Sequence, residues 1–418
     1  MKIGDSVNPP KGWKIKKLRE VCTIKPPKKE AKEKLVDSDI VTFLPMEDLG
    51  IAEKEIKAIQ KRKLIEVVGN YTYFAENDVL LAKITPCFEN GKLGIAKNLT
   101  NGIGFGSSEY IVFRSNGEIV PDFLFYFLLR DNFRKEGQKN MFGAVGHKRV
   151  SKDWLENYII PLPPLPEQKR IVAVLDKCFT AIDKAKANAE QNYKNAKELF
   201  ENYLHGVFGG EGALTEPRRH GGWEVRKLGD VLVKTETTDP TKNPSKEFIY
   251  VDVSSVNNET FEIENITKLK GKDAPSRARK LIRENDIIFA TVRPTLKRIA
   301  VVPEYLDRQV CSTGYYVLRG SNSIDQKHLF YFTQTKYFIK QMEKLQKGAS
   351  YPAVTDNDVK SQLIPLPPLQ EQQTIVRQLD ALRTETQKLE AIYQNKIVDL
   401  MELKKAILQK AFGGELMD

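Results

Sequence analysis

The chain has 418 residues, 41% of them hydrophobic, with 66 Lys and Arg against 55 Asp and Glu and a formal net charge of +11. That length exceeds one ordinary domain and suggests two to four units, and that apolar content excludes a disordered chain. The basic excess favours an anionic partner, of which nucleic acid is the commonest.

The N-terminal stretch, residues 1–20, has no apolar leader core, and no run in the chain approaches 18 apolar residues. The protein is therefore expected to be soluble and cytoplasmic, with no membrane partner. Cys22, Cys87, Cys178 and Cys311 lie far apart with no C-x-x-C pair. The four histidines show no metal-ligand spacing around them, so reduced thiols and no metal are expected.

Short β-like runs follow at Val79–Ala82 and Tyr110–Phe113, with an amphipathic helical patch at Asp122–Arg130. Between the strands lies the loop Lys83–Lys92 (KITPCFENGK), and Gly143–Val150 (GAVGHKRV) forms a second Gly-rich basic stretch. Proline punctuation in PLPPLPEQ then ends the globule, with Pro166 in a helical first turn. Beyond it Ile171, Leu175, Cys178, Ile182, Ala185, Ala189, Asn192, Ala196, Leu199 and Tyr203 step by four and three, predicting a coiled-coil seam. Gly209–Gly210 stops this helix, and the segment 209–221 is read as a linker.

The second half repeats the first. IIPLPPLPEQKRIVAVLD at Ile159–Asp176 matches LIPLPPLQEQQTIVRQLD at Leu363–Asp380, a shift of 204 residues between Pro161 and Pro365. The same shift carries VFGGE at Val207 onto AFGGE at Ala411. Upstream, GWKIKKLREV (Gly12) resembles GWEVRKLGDV (Gly222), ENDVLLAKITP (Glu76) resembles ENDIIFATVRP (Glu284), and SSEYIVFR (Ser107) resembles STGYYVLR (Ser312). The stretches between these anchors barely match. Strands are expected at Asp286–Phe289 and Tyr315–Leu318, and a helix at Gln326–Phe338. The second seam runs through Ile375, Leu379, Leu382, Thr386, Leu389, Tyr393, Lys396, Leu400, Leu403 and Ile407. Small residues of one seam facing large ones of the other predict that the two helices pair within the chain.

The fold class is thus α+β: two mixed α/β globules of about 150 residues, joined by two long helices in an internal repeat. Helices of about 40 residues would make a rod of roughly 60 Å. An antiparallel pair would hold the globules at its ends with pseudo-two-fold symmetry. Two readers at fixed separation suit two DNA half-sites, for which one helical turn of ~34 Å is the natural unit. Dissimilar interiors predict dissimilar half-sites.

DNA-contact candidates in the first globule are Lys83, Thr85, Asn90 and Lys92 in the loop, with His147, Lys148 and Arg149 in the Gly-rich stretch. In the second they are Arg293, Thr295, Lys297 and Arg298 in TVRPTLKR, with Ser350 and Tyr351 in GASYPAV. Lys and Arg would neutralise phosphates, and Arg or Asn could make bidentate base contacts. Ser107, Ser108, Glu109, Ser312 and Thr313 read equally well as structural turns, and Phe123–Phe127 as core. Lys169, Arg170, Lys177, Arg377 and Arg383 are expected on outward helix faces. Asn8–Pro10 is NPP but is followed by Lys11, there is no G-x-x-x-x-G-K-[ST] loop, and no nuclease carboxylate cluster or Ser/His/Asp set is found. Chemistry is expected from partners.

Two variable segments, each followed by a PLPPL-x-EQ helix, resemble the specificity subunit of type I restriction–modification systems (HsdS). The resemblance spans nearly the whole chain. It implies target recognition domains at 1–165 and 222–369, related in fold to the recognition domain of some type II adenine methyltransferases. It implies spacer helices at 166–208 and 370–418 that form an antiparallel coiled coil. The implied partners are double-stranded DNA, two methyltransferase subunits and endonuclease–translocase subunits. S-adenosylmethionine, ATP and Mg would be carried by the partner subunits and no cofactor by this chain, which would not itself be an enzyme. The alternatives are a specificity subunit serving a methyltransferase without type I restriction, a coiled-coil adaptor that reads no DNA, and a cryptic enzyme.

Overall fold

A computed structural model describes residues 11–57, 60–144, 146–209 and 222–416. The Asn8–Pro10 motif and nearly all of the expected linker lie outside the described residues. The chain divides into two units, residues 1–189 with 395–418, and residues 190–394. No helix among the described residues is long and apolar enough to cross a membrane.

The first unit holds two four-stranded sheets. One runs Cys22–Ile24, Tyr110–Ser115, Val79–Ala82, Leu93–Ile95, all antiparallel. The other runs Gln60–Lys63, Ile40–Leu44, Ile103–Gly106, Thr72–Ala75, with one parallel pair between Ile40–Leu44 and Ile103–Gly106. Val79–Ala82 is buried at every position, which is why it reads as a continuous apolar run rather than an alternating one. Pro121 opens the helix Pro121–Leu128, and Phe123–Leu128 are all buried.

The second unit repeats this plan. Ile299–Val301, Ile287–Ala290 and Tyr315–Leu318 form one sheet; Thr267–Lys270, Glu247–Val251, Val310–Ser312 and Ala278–Leu281 form the other, again with one parallel pair. The expected helix over Gln326–Phe338 is two helices, Gln326–Gln334 and Lys336–Leu345. Thr335 is extended, and its hydroxyl caps the second by accepting from the Phe338 amide at 3.2 Å.

The repeated E-N-D anchor has a physical reason. Asn77 and Asn285 take left-handed φ of 68° and 66°, a conformation Asn tolerates better than most residues. The following Asp78 and Asp286 are 1% exposed, and each pairs side-on with the Arg of the repeated Y-x-V-x-R strand. Arg114 holds Asp78 at 2.8 and 2.7 Å, and Arg319 holds Asp286 at 2.7 and 2.7 Å. Removing either Arg would strand a buried carboxylate.

The long helices are Leu165–Phe208, of 44 residues, and Leu369–Gly413, of 45. Gly209 and Gly414, both with φ of 79°, supply the left-handed residue at their ends. In the first unit the start of one helix packs antiparallel on the end of the other: Ile171, Leu175 and Phe179 share a core with Leu408, Ala411 and Phe412. Lys404 there pairs with Asp183 at 2.8 Å. In the second unit Leu204 and Phe208 share a core with Ile375 and Leu379, and the Tyr203 hydroxyl donates to Gln378 at 3.0 Å.

Individual seam positions need correction. Ile171, Leu175, Ile182, Ala189, Ile375 and Leu379 are buried, and Tyr393 and Leu400 are half-buried. Leu199 and Leu389 are 50% and 38% exposed. The inward stripe instead passes through Ala196, Phe200 and Leu204 on the first helix, and through Thr386, Glu390 and Tyr393 on the second. A strict 3.5-residue step drifts against a 3.6-residue helix by about 20° per heptad, which over the four heptads from Ile171 to Leu199 approaches one residue step and turns Phe200 inward in its place. Arg383 is likewise not on an outward face: its guanidinium lies 5.0 Å from the Phe261 ring and 5.6 Å from the Phe200 ring.

Candidate nucleic-acid interface

In each unit the two basic candidate segments, far apart in sequence, meet at one backbone junction. In the first unit a hairpin pairs Met141–Phe142 with Arg149–Val150, and its second strand runs on beside the loop that follows Val79–Ala82. The Val150 amide donates to Lys83 O and the Thr85 amide to Lys148 O, both at 2.9 Å, and Ile84 bridges Arg149. In the second unit the Val354 amide donates to Thr291 O at 2.9 Å and the Arg293 amide to Pro352 O at 2.7 Å, with Val292 bridging Ala353. The junction is therefore the same in both, although its side chains are not.

The charges at the first junction are organised around one carboxylate. Arg149 donates Nε to Glu109 Oε2 at 2.9 Å and Nη2 to Glu109 Oε1 at 2.8 Å, and Nη1 to His147 O at 3.1 Å. Lys83 Nζ donates to Ser108 O at 2.8 Å and lies 3.9 Å from Glu109. The Arg149 hydrogen bond holds the Glu109 carboxyl below its ordinary range, with Lys83 and Lys25 adding to the effect, while burial pulls the Lys83 ammonium down. Glu109 thus has a chemical role at the junction, which a turn reading of S-S-E could not supply. Lys25, at a left-handed φ of 61°, joins the same cluster. It carried no sequence signal, because only the pairing of Cys22–Ile24 with the Tyr110–Ser115 strand brings it there.

The other candidates divide into inward and outward groups. Lys92 is turned inward, its ammonium donating to Met46 O at 2.7 Å and Glu47 O at 3.3 Å. Thr85 donates its hydroxyl to Glu89 at 2.8 Å. Asn90, His147 and Lys148 are exposed, and among the described residues the Lys148 ammonium has no ion-pair partner.

In the second unit Arg293 and Lys297 take left-handed φ of 50° and 53° on either side of the turn Pro294–Leu296. The Arg293 guanidinium donates to Ser350 O at 3.1 Å and lies 4.9 Å from the Tyr351 ring centroid, within cation–π range. Tyr351 is 72% exposed, and Ser350 and Thr295 are exposed too. Arg298 is held inward, donating to Val253 O at 2.7 Å. Lys297 lines an open cleft of about 420 Å³ bounded by Phe200, Phe261 and Arg383.

Contacts at the helix starts explain the repeated E-Q. The Trp13 indole donates to Glu167 at 2.9 Å and the Trp223 indole to Glu371 at 3.2 Å. Gln168 and Gln372 are fully buried where the helices leave the globules. Among the described residues no group of three or more His, Cys, Asp or Glu is placed to hold a metal ion. All four cysteines are unpaired, and burial pushes the Cys22 and Cys311 thiols up to about 12.

A family model for the type I restriction modification DNA specificity domain matches residues 10–191 and 220–398. The chain is 35% identical over 201 residues to the type I restriction enzyme EcoEI specificity subunit of Escherichia coli, covering 47% of this chain and 32% of that one. To the EcoAI specificity subunit of the same organism it is 33% identical, covering 47% and 33%. The matched region thus spans about a third of these two relatives. The MjaIX specificity subunit of Methanocaldococcus jannaschii is 25% identical over 441 residues, with 97% of this chain and 94% of that one covered. Among solved structures, a chain from work on complex assembly and conformational transition of the type I R-M system superposes with a TM-score of 0.79 at 22% identity, covering 98% and 100%. The HsdS subunit from Thermoanaerobacter tengcongensis gives 0.64 at 23% identity, covering 97% and 98%. These two share the fold.

Proposed function

The chain belongs to the type I restriction–modification DNA specificity family, and from that membership we propose that it is the non-catalytic S subunit of a type I complex. Each unit reads one half of a bipartite, asymmetric DNA site. The long helices join the readers and carry two methyltransferase subunits, and an endonuclease–translocase completes the assembly. S-adenosylmethionine, ATP and Mg belong to those partners, and the cytoplasm is where the complex acts. The recognition domains are taken as 1–165 and 222–369, with the helices at 166–208 and 370–418.

The observation that carries this reading is the junction built twice. One backbone ladder joins Lys83–Thr85 to Lys148–Val150 and Thr291–Arg293 to Pro352–Val354. Glu109, Arg149 and Lys148 decorate the first, and Arg293, Ser350 and Tyr351 the second. A shared frame with different side chains at its exposed edge suits two readers of different sequence.

The test is to map methylated adenines genome-wide in cells expressing this chain with its neighbouring methyltransferase. A split, asymmetric motif should appear, and it should vanish when this gene is removed. Exchanging the first unit's variable segment for another should change one half of the motif only. An unchanged methylome from an assembled complex would remove the reading and leave a coiled-coil adaptor in its place.

A further inference from the structure

We infer that Arg149, held in place by Glu109, reads a guanine in the first half-site, an inference that rests on the DNA-reading function proposed above.

Arginine has five N–H donors in a rigid fork. Three of those of Arg149 are committed: Nε and Nη2 to the two Glu109 oxygens, and Nη1 to His147 O. One N–H on each terminal nitrogen remains, the pair needed for a bidentate contact with guanine O6 and N7. The side chain is 38% exposed, at the hairpin tip beside the exposed His147 and Lys148.

Direction decides between a base and a phosphate as the ligand. Glu109 sits side-on against the guanidinium and also lies near Lys83 and Lys25, so the cluster stays positive and favours DNA in general. What the carboxylate adds is a fixed direction for the remaining donors. Fixed direction serves base reading, whereas an unpaired, flexible ammonium such as Lys148 serves phosphate contact. Holding the fork before DNA arrives also lowers the ordering cost of the contact.

The second unit cannot use the same device. Gly314 occupies the position of Glu109 in the repeated strand, and a Cβ there would lie 2.6 Å from Val253 Cγ2. At that junction the arginine comes from the opposite segment: Arg293 is on the loop, where the first unit has Thr85, and Ala353 stands where the first unit has Arg149. Arg293 is steadied by Ser350 O and the Tyr351 ring instead of by a carboxylate. Each junction therefore carries one oriented arginine, reached from opposite sides, and only the first is held by a carboxylate.

The experiment uses the complex of the full chain with its methyltransferase partner, bound to a duplex library randomised across both half-sites. Wild type is compared with Arg149→Lys and Glu109→Gln. Wild type should select a G·C pair at one first-half position. Arg149→Lys should lose roughly 5- to 150-fold of discrimination there, the range of one bidentate pair. Glu109→Gln should loosen the same position while raising affinity for unrelated DNA and steepening its salt dependence, because a counter-charge is gone. Selection in the second half-site should be unchanged in both variants, which also reports that they are folded. A uniform loss of affinity in Arg149→Lys, with no position altered, would make Arg149 a phosphate contact and overturn the inference. So would a wild-type first half-site without a G·C pair. A wild-type complex with no bipartite preference would instead defeat the function proposed above, and the inference with it.

Discussion

Gln168 Oε1 accepts the Val120 N–H at 2.8 Å from a side chain with no exposure to solvent. Its Nε2 donates to Glu118 O at 3.0 Å and Pro163 O at 2.9 Å. Gln372 makes the same three bonds, to the Asp325 N–H at 2.8 Å, Ser323 O at 3.1 Å and Pro367 O at 2.8 Å. One amide thus fastens each long helix to the turn that starts the globule's helical layer.

Gln168→Leu or Gln372→Leu keeps nearly the same volume but leaves one N–H and two carbonyls without their side-chain partner, and only the Pro163 or Pro367 carbonyl among them sits on a buried residue. An unmet buried polar group costs about 1–3 kcal/mol, while the part-buried ones can turn to water. A loss of about 1–3 kcal/mol is expected, read as a lower urea midpoint for the full chain. A midpoint equal to wild type would show that solvent replaces the amide at no cost.

The frame of the fold was legible because its letters repeat: E-N-D, Y-x-V-x-R and PLPPL-x-EQ. Their partners were not, since Asp78 meets Arg114 only through the pairing of Val79–Ala82 with Tyr110–Ser115. The sheets through Ile40–Leu44 and Glu247–Val251 were illegible as a shared plan. They keep strand pairing while changing nearly every side chain, and backbone hydrogen bonds are blind to that. At the candidate interface the sequence offered both segments of each unit, but not their meeting. Glu109 was passed over because its significance lies in Arg149, 40 residues away. On the long helices Ile171, Leu175, Ile375 and Leu379 are buried while Leu199 and Leu389 are exposed; at Leu199, four heptads on from Ile171, a heptad step and a 3.6-residue helix part company.

His328 ties stability to pH. It occupies the place that Phe123 holds in the first unit and packs the same way: Phe123 lies 4.9 Å from Phe412, and His328 lies 4.8 Å from Phe208. Its Nε2 is 3.4 Å from Pro365 O, and its Nδ1 is buried without a partner. Burial lowers its pKa to about 4, opposed by the Pro365 carbonyl and Asp325. The unfolded imidazole titrates near 6.5. Between the two values the unfolded state binds the proton and the native state does not. Stability is therefore full above about pH 6.5 and falls as pH drops toward 4, by up to ~3 kcal/mol from this one group. His328→Phe, which copies the other half of the repeat, should match wild type to within ~1 kcal/mol at pH 7.5 and lose less between pH 7.5 and 4.5. Urea unfolding at the two pH values decides it. An equal acid loss in both proteins would place the proton uptake elsewhere.

Lys148 gives the electrostatic counterpart to Arg149. Its backbone carbonyl is fixed by the Thr85 amide at 2.9 Å, while its ammonium is exposed without an ion pair among the described residues. That combination places a mobile charge at a fixed point, the requirement for a phosphate contact that positions DNA without reading it. Lys148→Ala in the complex should weaken binding to specific and unrelated DNA by the same factor. The slope of log K against log salt should fall by ~0.9, the share of one phosphate on a duplex. That slope corresponds to roughly 5-fold in affinity at about 0.15 M salt and to almost nothing near 1 M. The base preference of the first half-site should not move. Binding titrations at four salt concentrations separate the cases, since an altered base preference with an unchanged slope would make Lys148 a reader and not an anchor.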